Sequence, residues 1–331
     1  IVGNPPYQTG VNKEPIYHSF IDLGMAVGDF GTLIHPCRFM FNAGKTPKTW
    51  NHNILNNKHF GLKNYWDKAS KVFNSVDIKG GLAITLWDNN KDIGPIGMLI
   101  QHDEMRPILD KVSIFKELSF SQIVYPRDLY KLTETLYKEN PKMEGRQSKG
   151  HRLDVGTTIF TVFPELFFND KPANDGYALV VGRNNGERIG KWIKQDYLKL
   201  ADNFEKYKVV VPKTNGSGHF GEQLSAPFIA EPYHAQNTTF LSIGNFSTYI
   251  EAEACLKYIK TKFARSLLGV LKVTQDNSKG VWAYIPLQDF TAESDIDWSR
   301  SVAEIDRQLY DKYGLTEEER KFIESMIKPM E

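Results

Sequence analysis

The chain has little cysteine, with Cys37 and Cys255 the only two in 331 residues. They lie too far apart for a Cys-x-x-Cys metal pair and are too few for a disulfide framework, which excludes a stapled exported scaffold and suits a reducing cytoplasm. No segment approaches the roughly 18 consecutive apolar residues of a membrane-spanning helix. No basic start followed by an apolar run marks a secretion signal. We therefore expect a cytoplasmic chain that neither spans a membrane nor is exported. An excess of either charge is also missing: 41 Lys and Arg face 40 Asp and Glu. Contact with nucleic acid must then come from local basic patches. There is no internal repeat and no low-complexity tract. The eight histidines show no metal-ligand spacing, so no metal is expected, and His102-Asp103-Glu104 reads as a solvated loop. What remains, 41% hydrophobic and 24% charged residues, is enough mass for two domains and a sizeable core.

The chain opens without Met on Ile1-Val2-Gly3-Asn4-Pro5-Pro6-Tyr7, the end of a strand entering a Pro-stiffened turn. Because it begins mid-strand, we expect a fragment whose flanking strands belong to upstream sequence. Residues 15–27 have helical apolar spacing, with Pro15 suited to the first turn. A strand at 32–35, a helix at 46–57 and strands at 60–66 and 81–87 follow, the last a near-continuous apolar run of the kind buried on both faces. Residues 1–100 thus read as the later half of an open α/β sheet. Residues 101–152, punctuated by Pro107, Pro126 and Pro141, read as a connector. Residues 153–331 read as a mixed α+β domain. Its β-rich runs are 158–163, 177–181, 207–211, 228–230, 239–243 and 281–285. Helical spacing covers 250–271 and 298–328.

Asn-Pro-Pro-Tyr at the end of a strand has a chemical use. An amide oxygen and a backbone carbonyl held close together are paired acceptors for an exocyclic amino group. Pro5 and Pro6 restrict the backbone and bias the residue before each toward extended conformations, so the Asn4 side chain and the Pro5 carbonyl are presented without further ordering. Accepting both N–H bonds of a conjugated amino group frees its lone pair for attack on an electrophilic methyl. Tyr7 adds a flat face for a ring to stack on.

These four residues resemble motif IV of the amino-methyltransferases that use S-adenosylmethionine, and the Pro-Pro-Tyr form is similar to that of the adenine-N6 DNA methyltransferases. The order of elements that follows is similar too, with Lys71-Val72-Phe73-Asn74 just ahead of the strand at 81–87. The resemblance implies the C-terminal half of a Rossmann-like methyltransferase sheet. It also implies a flipped adenine stacked between Tyr7 and Phe73 and held by Asn4 and the Pro5 carbonyl. Asn-Pro-Pro-Tyr occurs as well in enzymes that methylate a glutamine side chain and in some RNA methyltransferases. The glutamine enzymes end soon after their catalytic sheet, whereas here a long second half follows, enough for a target-recognition domain. Residues 160–182, 207–221 and 240–271 resemble the specificity region of type IIG restriction-modification proteins. The family's Gly-containing cofactor loop precedes motif IV, so binding of S-adenosylmethionine by this chain alone is expected to be weak or absent. The implied partners are double-stranded DNA and the missing N-terminal part of the same polypeptide.

Two further motifs fail on context. Gly216-Ser217-Gly218-His219-Phe220-Gly221 has the dinucleotide spacing, but Pro227 arrives before a helix can form. Gly44-Lys45-Thr46 lacks the upstream glycine of a phosphate loop, since Phe39 stands there. The Pro-Asp step of a common nuclease motif does not occur. For DNA contact, Lys257, Lys260, Lys262 and Arg265 with Lys272 form one basic run that could track phosphates. Arg188, Lys191, Lys194, Lys199, Lys206, Lys208 and Lys213 form a second, diluted by Asp196, Asp202 and Glu205. Asn215, Gln223, Gln236 and Asn237 are candidates for base contact by chemistry alone. The expected function is site-specific adenine-N6 methylation of DNA in a restriction-modification system, with this piece inactive by itself. The alternatives are a non-catalytic DNA- or protein-binding module, or methylation of RNA or protein.

Overall fold

A computed structural model describes residues 1–10, 12–41, 43–74, 78–184 and 186–330. The chain divides into two units, the first made of Ile1–Arg106 with Gly218–Phe220 and Gly269–Thr274, the second of the remainder. In the first unit β1 (Val2–Gly3) is linked through α1 (Tyr17–Val27) to β2 (Phe30–Pro36). α2 (Lys48–Leu55), β3 (Phe60–Trp66) and β4 (Leu82–Asp88) follow. β1 pairs parallel with β2, and β4 lies antiparallel between β2 and β3, giving the order β1-β2-β4-β3. Consequently β1, β2 and β3 all run in one direction. Helix α1 buries Tyr17, Ile21 and Gly24 at helical spacing, and the core continues through Leu33, Phe39, Phe60 and Trp87. Trp87 explains the glycine at 31: a Cβ there would stand 2.1 Å from its indole. The indole N–H also donates to the Gly28 carbonyl at 2.9 Å.

The second unit contains most of α3 (Met105–Ile114), then β5 (Lys131–Leu132), α4 (Glu134–Glu139), α5 (Ile159–Val162), β6 (Tyr177–Asn184), β7 (Glu187–Lys194), β8 (Leu198–Lys199), β9 (Tyr207–Pro212), β10 (Phe228–Ala230), β11 (His234–Gln236) and β12 (Phe240–Phe246). The helices α6 (Tyr249–Lys260), most of α7 (Lys262–Leu271), α8 (Val302–Lys312) and α9 (Glu317–Met326) complete it. Its strands form the sheets β10-β9-β12, β11-β6-β7 and β5-β8. The architecture is mixed α/β.

Several sequence expectations need correction. Residues 107–152, read as a connector, belong to the second unit. The run at 158–163 is the short helix α5, because Ile159, Phe160 and Phe163 all reach the core at helical spacing before Pro164 stops the turn. The run at 281–285 is not a strand: the buried Trp282 donates back to the Asn277 carbonyl at 3.3 Å and closes a turn at Lys279–Trp282. The long helix at 250–271 breaks at Thr261, whose hydroxyl donates to the Tyr258 carbonyl at 2.6 Å and accepts the Ala264 N–H at 3.1 Å. The last helical stretch is two helices, each opened by a capping box, Ser301 with Glu304 and Thr316 with Glu319. Strand β7 was hidden by its charge, its residues alternating across an eight-residue ladder with β6. Among the described residues no helix is long and apolar enough to cross a membrane.

Candidate active site

Asn4 begins where β1 ends, at the carboxyl edge of the parallel pair. Asn4 and Pro6 are exposed, Pro5 is buried and Tyr7 is half-buried. Among the described residues, neither the Asn4 amide nor the Pro5 carbonyl makes a hydrogen bond within the chain. The chain then folds back on itself. The Tyr7 carbonyl accepts the Ile16 N–H at 3.2 Å, the Thr9 N–H donates to the Glu14 carbonyl at 2.8 Å, and Gln8 bridges Pro15. This reversal pins Tyr7 between β1 and α1. Its hydroxyl is buried without a hydrogen-bond partner. Burial pushes its pKa up, and the Asn4 side chain opposes that in part.

Phe73 follows the end of β3, whose carboxyl edge is on the same side of the sheet as that of β1. It is half-buried, and its N–H donates to the Ala69 carbonyl at 2.9 Å. Three strand spacings, roughly 14 Å, separate β1 from β3. The connection leading on to β4 is tied to the exit of β2: the Cys37 N–H donates to Gly81 at 3.3 Å, its thiol to the Gly80 carbonyl at 2.9 Å, and the Arg38 guanidinium to the Lys79 carbonyl. The fold thus brings Asn4 to Tyr7 and the loop of Phe73 to one edge. The rings of Tyr7 and Phe73 are not in contact with each other.

Sequence reading missed the buried His35 on β2. Its ring stacks on Tyr17, with centroids 5.6 Å apart and planes inclined by 2°. Nδ1 lies 3.1 Å from the Pro36 carbonyl and Nε2 2.7 Å from the Thr85 hydroxyl. A carbonyl only accepts, so Nδ1 carries the proton and Nε2 accepts from Thr85. Burial lowers its pKa to about 4 despite the Pro36 bond. A neutral His35 therefore ties β2 to β4 directly behind the candidate edge. The signal for it was a lone histidine inside an apolar strand.

The residues expected to meet DNA are placed quite differently. The Lys257 ammonium donates to the carbonyls of Trp298 at 2.8 Å and Arg300 at 3.2 Å. Lys260 is half-buried. Lys262 pairs with the Glu324 carboxylate and is 16% exposed. Arg265, 2% exposed, donates to the carbonyls of Lys260 and Lys328, and burial lowers its pKa to about 10. Lys272 is buried and donates to the Thr274 carbonyl at 3.2 Å. Lys213 pairs with Asp276 at 2.6 Å. Asn215 is buried, its amide donating to the Gln223 carbonyl at 2.9 Å and its oxygen accepting the Ser225 N–H. Gln236 and Asn237 are buried as well, and only Gln223 of that group is exposed. These side chains fasten the second unit, except Lys272, which belongs to the first. At 216–221 no helix begins, and the Ser217 N–H is bonded by the Glu222 carboxylate at 2.8 Å.

Residues 1–73 match the family model described as Eco57I restriction-modification methylase. The matched stretch covers β1, β2 and β3 and ends at Phe73, ahead of β4. No curated protein matches the chain. Among solved structures, one similar chain is that of the type IIG restriction endonuclease BpuSI, at 11% identity and a TM-score of 0.30, covering 91% of this chain and 45% of that one. The chain thus spans less than half the length of that enzyme.

Proposed function

We propose that this chain carries the target-amine side of an adenine-N6 DNA methyltransferase from a restriction-modification system, joined to a target-recognition unit. The observation that carries the reading is the position of Asn4-Pro5-Pro6-Tyr7, at the carboxyl end of a parallel strand with unengaged acceptors. In open α/β sheets that edge is where ligands bind. On this reading an adenine leaves the duplex and its amino group donates to the Asn4 side-chain oxygen and the Pro5 carbonyl. The two acceptors hold the nitrogen in the geometry in which its lone pair is available. Tyr7 stacks on one face of the base, and Phe73 reaches from its loop to the other. The family match over residues 1–73 supports this assignment.

S-adenosylmethionine supplies an electrophilic methyl when bound. The one Gly-rich loop of dinucleotide spacing does not fit it, because Glu222 bonds the Ser217 amide and no helix N-terminus follows.

The test is methyl transfer to adenine by an enzyme complete with a cofactor site. Asn4→Ala is expected to lower turnover on the order of 10²- to 10³-fold, as for removal of one preorganised polar group facing a reacting centre, with duplex affinity unchanged. Full activity in Asn4→Ala, or transfer to cytosine, RNA or a glutamine side chain instead, overturns the reading.

A further inference from the structure

Arg183 on β6 and Arg188 on β7 stand directly opposite one another in the ladder, and both are exposed. Like charges in that position repel, yet among the described residues neither guanidinium makes an ion pair. Each lies over an aromatic ring instead. The Arg188 carbon Cζ is 4.1 Å from the centroid of Phe228, and that of Arg183 is 5.8 Å from the centroid of Phe240. The two rings pack edge to face at 5.8 Å. Behind them Leu179 and Val181, on the same face of β6, meet Val210 and Ala230 in a small apolar seam. The arginines close the open end of that seam. Glu187, the acid nearest to them in the ladder, is paired with Asn184 one position away. Successive strand residues point to opposite faces, so its carboxylate lies across the ribbon from the two cations. A guanidinium resting on a ring has given up part of its freedom and keeps its fork of N–H donors for another partner.

We propose that Arg183 and Arg188 form a clamp for a backbone phosphate of duplex DNA. This rests on the reading of the second unit as the recognition part of a DNA methyltransferase. A phosphodiester matches the planar donor forks and neutralises the repulsion between them. The basic helices offer no comparable site, since the cations described there are drawn into the protein's own carbonyls and carboxylates.

The test is anisotropy titration of the whole chain with a fluorescein-labelled random-sequence DNA duplex across a salt series. A clamp that neutralises one phosphate contributes roughly 0.9 to the slope of log K against log salt, so Arg183→Ala with Arg188→Ala flattens it by about 0.9, equally for duplexes of different sequence. Arg188→Lys keeps the charge and the slope but binds more weakly, because it loses the fork and the stacking. Circular dichroism melting of each variant should overlay that of the parent, as the site is at an exposed hairpin tip. An unchanged slope in the double variant, with duplex still bound, overturns the clamp and leaves the DNA reading standing. Weakening confined to one sequence overturns it in favour of base contact. Failure of the unsubstituted chain to bind any duplex overturns the clamp together with the DNA role of this unit.

Discussion

The loop at Asn4 to Tyr7 and the basic helices from Lys257 to Lys272 drew attention for opposite reasons, and the fold treats them oppositely. The loop is short, nearly uncharged and stiffened by two prolines, and its acceptors stay unengaged at the rim of a sheet. The helices carry four of the five cations, with Lys272 just past the end of α7, and those whose bonds are described turn inward onto carbonyls and carboxylates. A motif whose geometry is set by its own backbone survives folding with its chemistry available. A charge run has no such internal constraint, so the surrounding helices decide what its side chains meet, and an ammonium on a long stem readily caps a nearby helix or turn. On the proposed reading, position on an unpartnered face is expected to count for more in DNA contact than the number of positive residues.

The contrast is sharpened most by Tyr7, whose ring and hydroxyl make separate predictions. Tyr7→Ala removes a stacking face worth about 1–3 kcal/mol per base, so methyl transfer should drop by roughly 5- to 150-fold at fixed duplex affinity. Tyr7→Phe removes only a buried hydroxyl without a partner, and should leave turnover near the parent's with unchanged or slightly higher melting temperature. Equal losses in both variants would mean that the hydroxyl, and not the ring, is what the site uses.

Arg265 tests the other side of the comparison. It is buried and donates to two carbonyls, with one guanidinium nitrogen left unpartnered. Arg265→Ala should cost on the order of 2–4 kcal/mol in urea unfolding through poorer packing and orphaned acceptors, while the folded fraction keeps its salt slope for duplex binding. A reduced slope with intact stability would place Arg265 on DNA and erase the distinction.

Much of the first unit was legible because its signals are local. Strand β3 has the bounds read for it, an apolar-rich run closed by polar or turn residues. The order of strand and helix up to β4 follows from period alone. The parallel pairing of β1 with β2 and the insertion of β4 between β2 and β3 depend on pairings distant in sequence. In the second unit tertiary packing overrides local pattern: Trp282 turns a strand-like run into a turn, and Thr261 divides a helix whose periodicity is unbroken. Strand β7 reads as a solvated basic stretch until its alternation is set against β6. The four residues of the motif stand out in the sequence by their chemistry, and the fold places them at the end of β1. The status of each lysine was not, because sequence does not say which carbonyl will be within reach.

Asp306 supplies a pH dependence at the root of the basic helices. Its carboxylate accepts the N–H groups of Lys262 and Phe263 at 2.9 and 2.8 Å, at the start of α7. Burial outweighs those bonds and raises its pKa from the ordinary carboxylate value of 3.8 to about 6. Between those values the folded state binds more protons than the unfolded one. The contribution is fully present below the unfolded pKa and is lost as pH rises through about 6, on the order of 3 kcal/mol in all. Unfolding midpoints measured from pH 4 to 7 should show this fall, and Asp306→Asn should flatten it. A fall that persists in Asp306→Asn assigns it to another group.

The smallest effect is the most discriminating. Lys213 and Asp276 are 2.6 Å apart with side chains 27% and 42% exposed, so solvent screens the pair and Lys213→Ala should cost under about 1 kcal/mol, less again in high salt. Because the substitution hardly disturbs the fold, any change in duplex binding would be direct. An unchanged salt slope in Lys213→Ala, beside a flattened one in the Arg183 and Arg188 variants, would separate cations that fasten the protein from cations held out for a phosphate. If Lys213→Ala flattens the slope as those do, an ion pair inside the chain does not withdraw a lysine from DNA. The inward bonds of Lys257 and Lys262 would then no longer argue against their contact with the backbone.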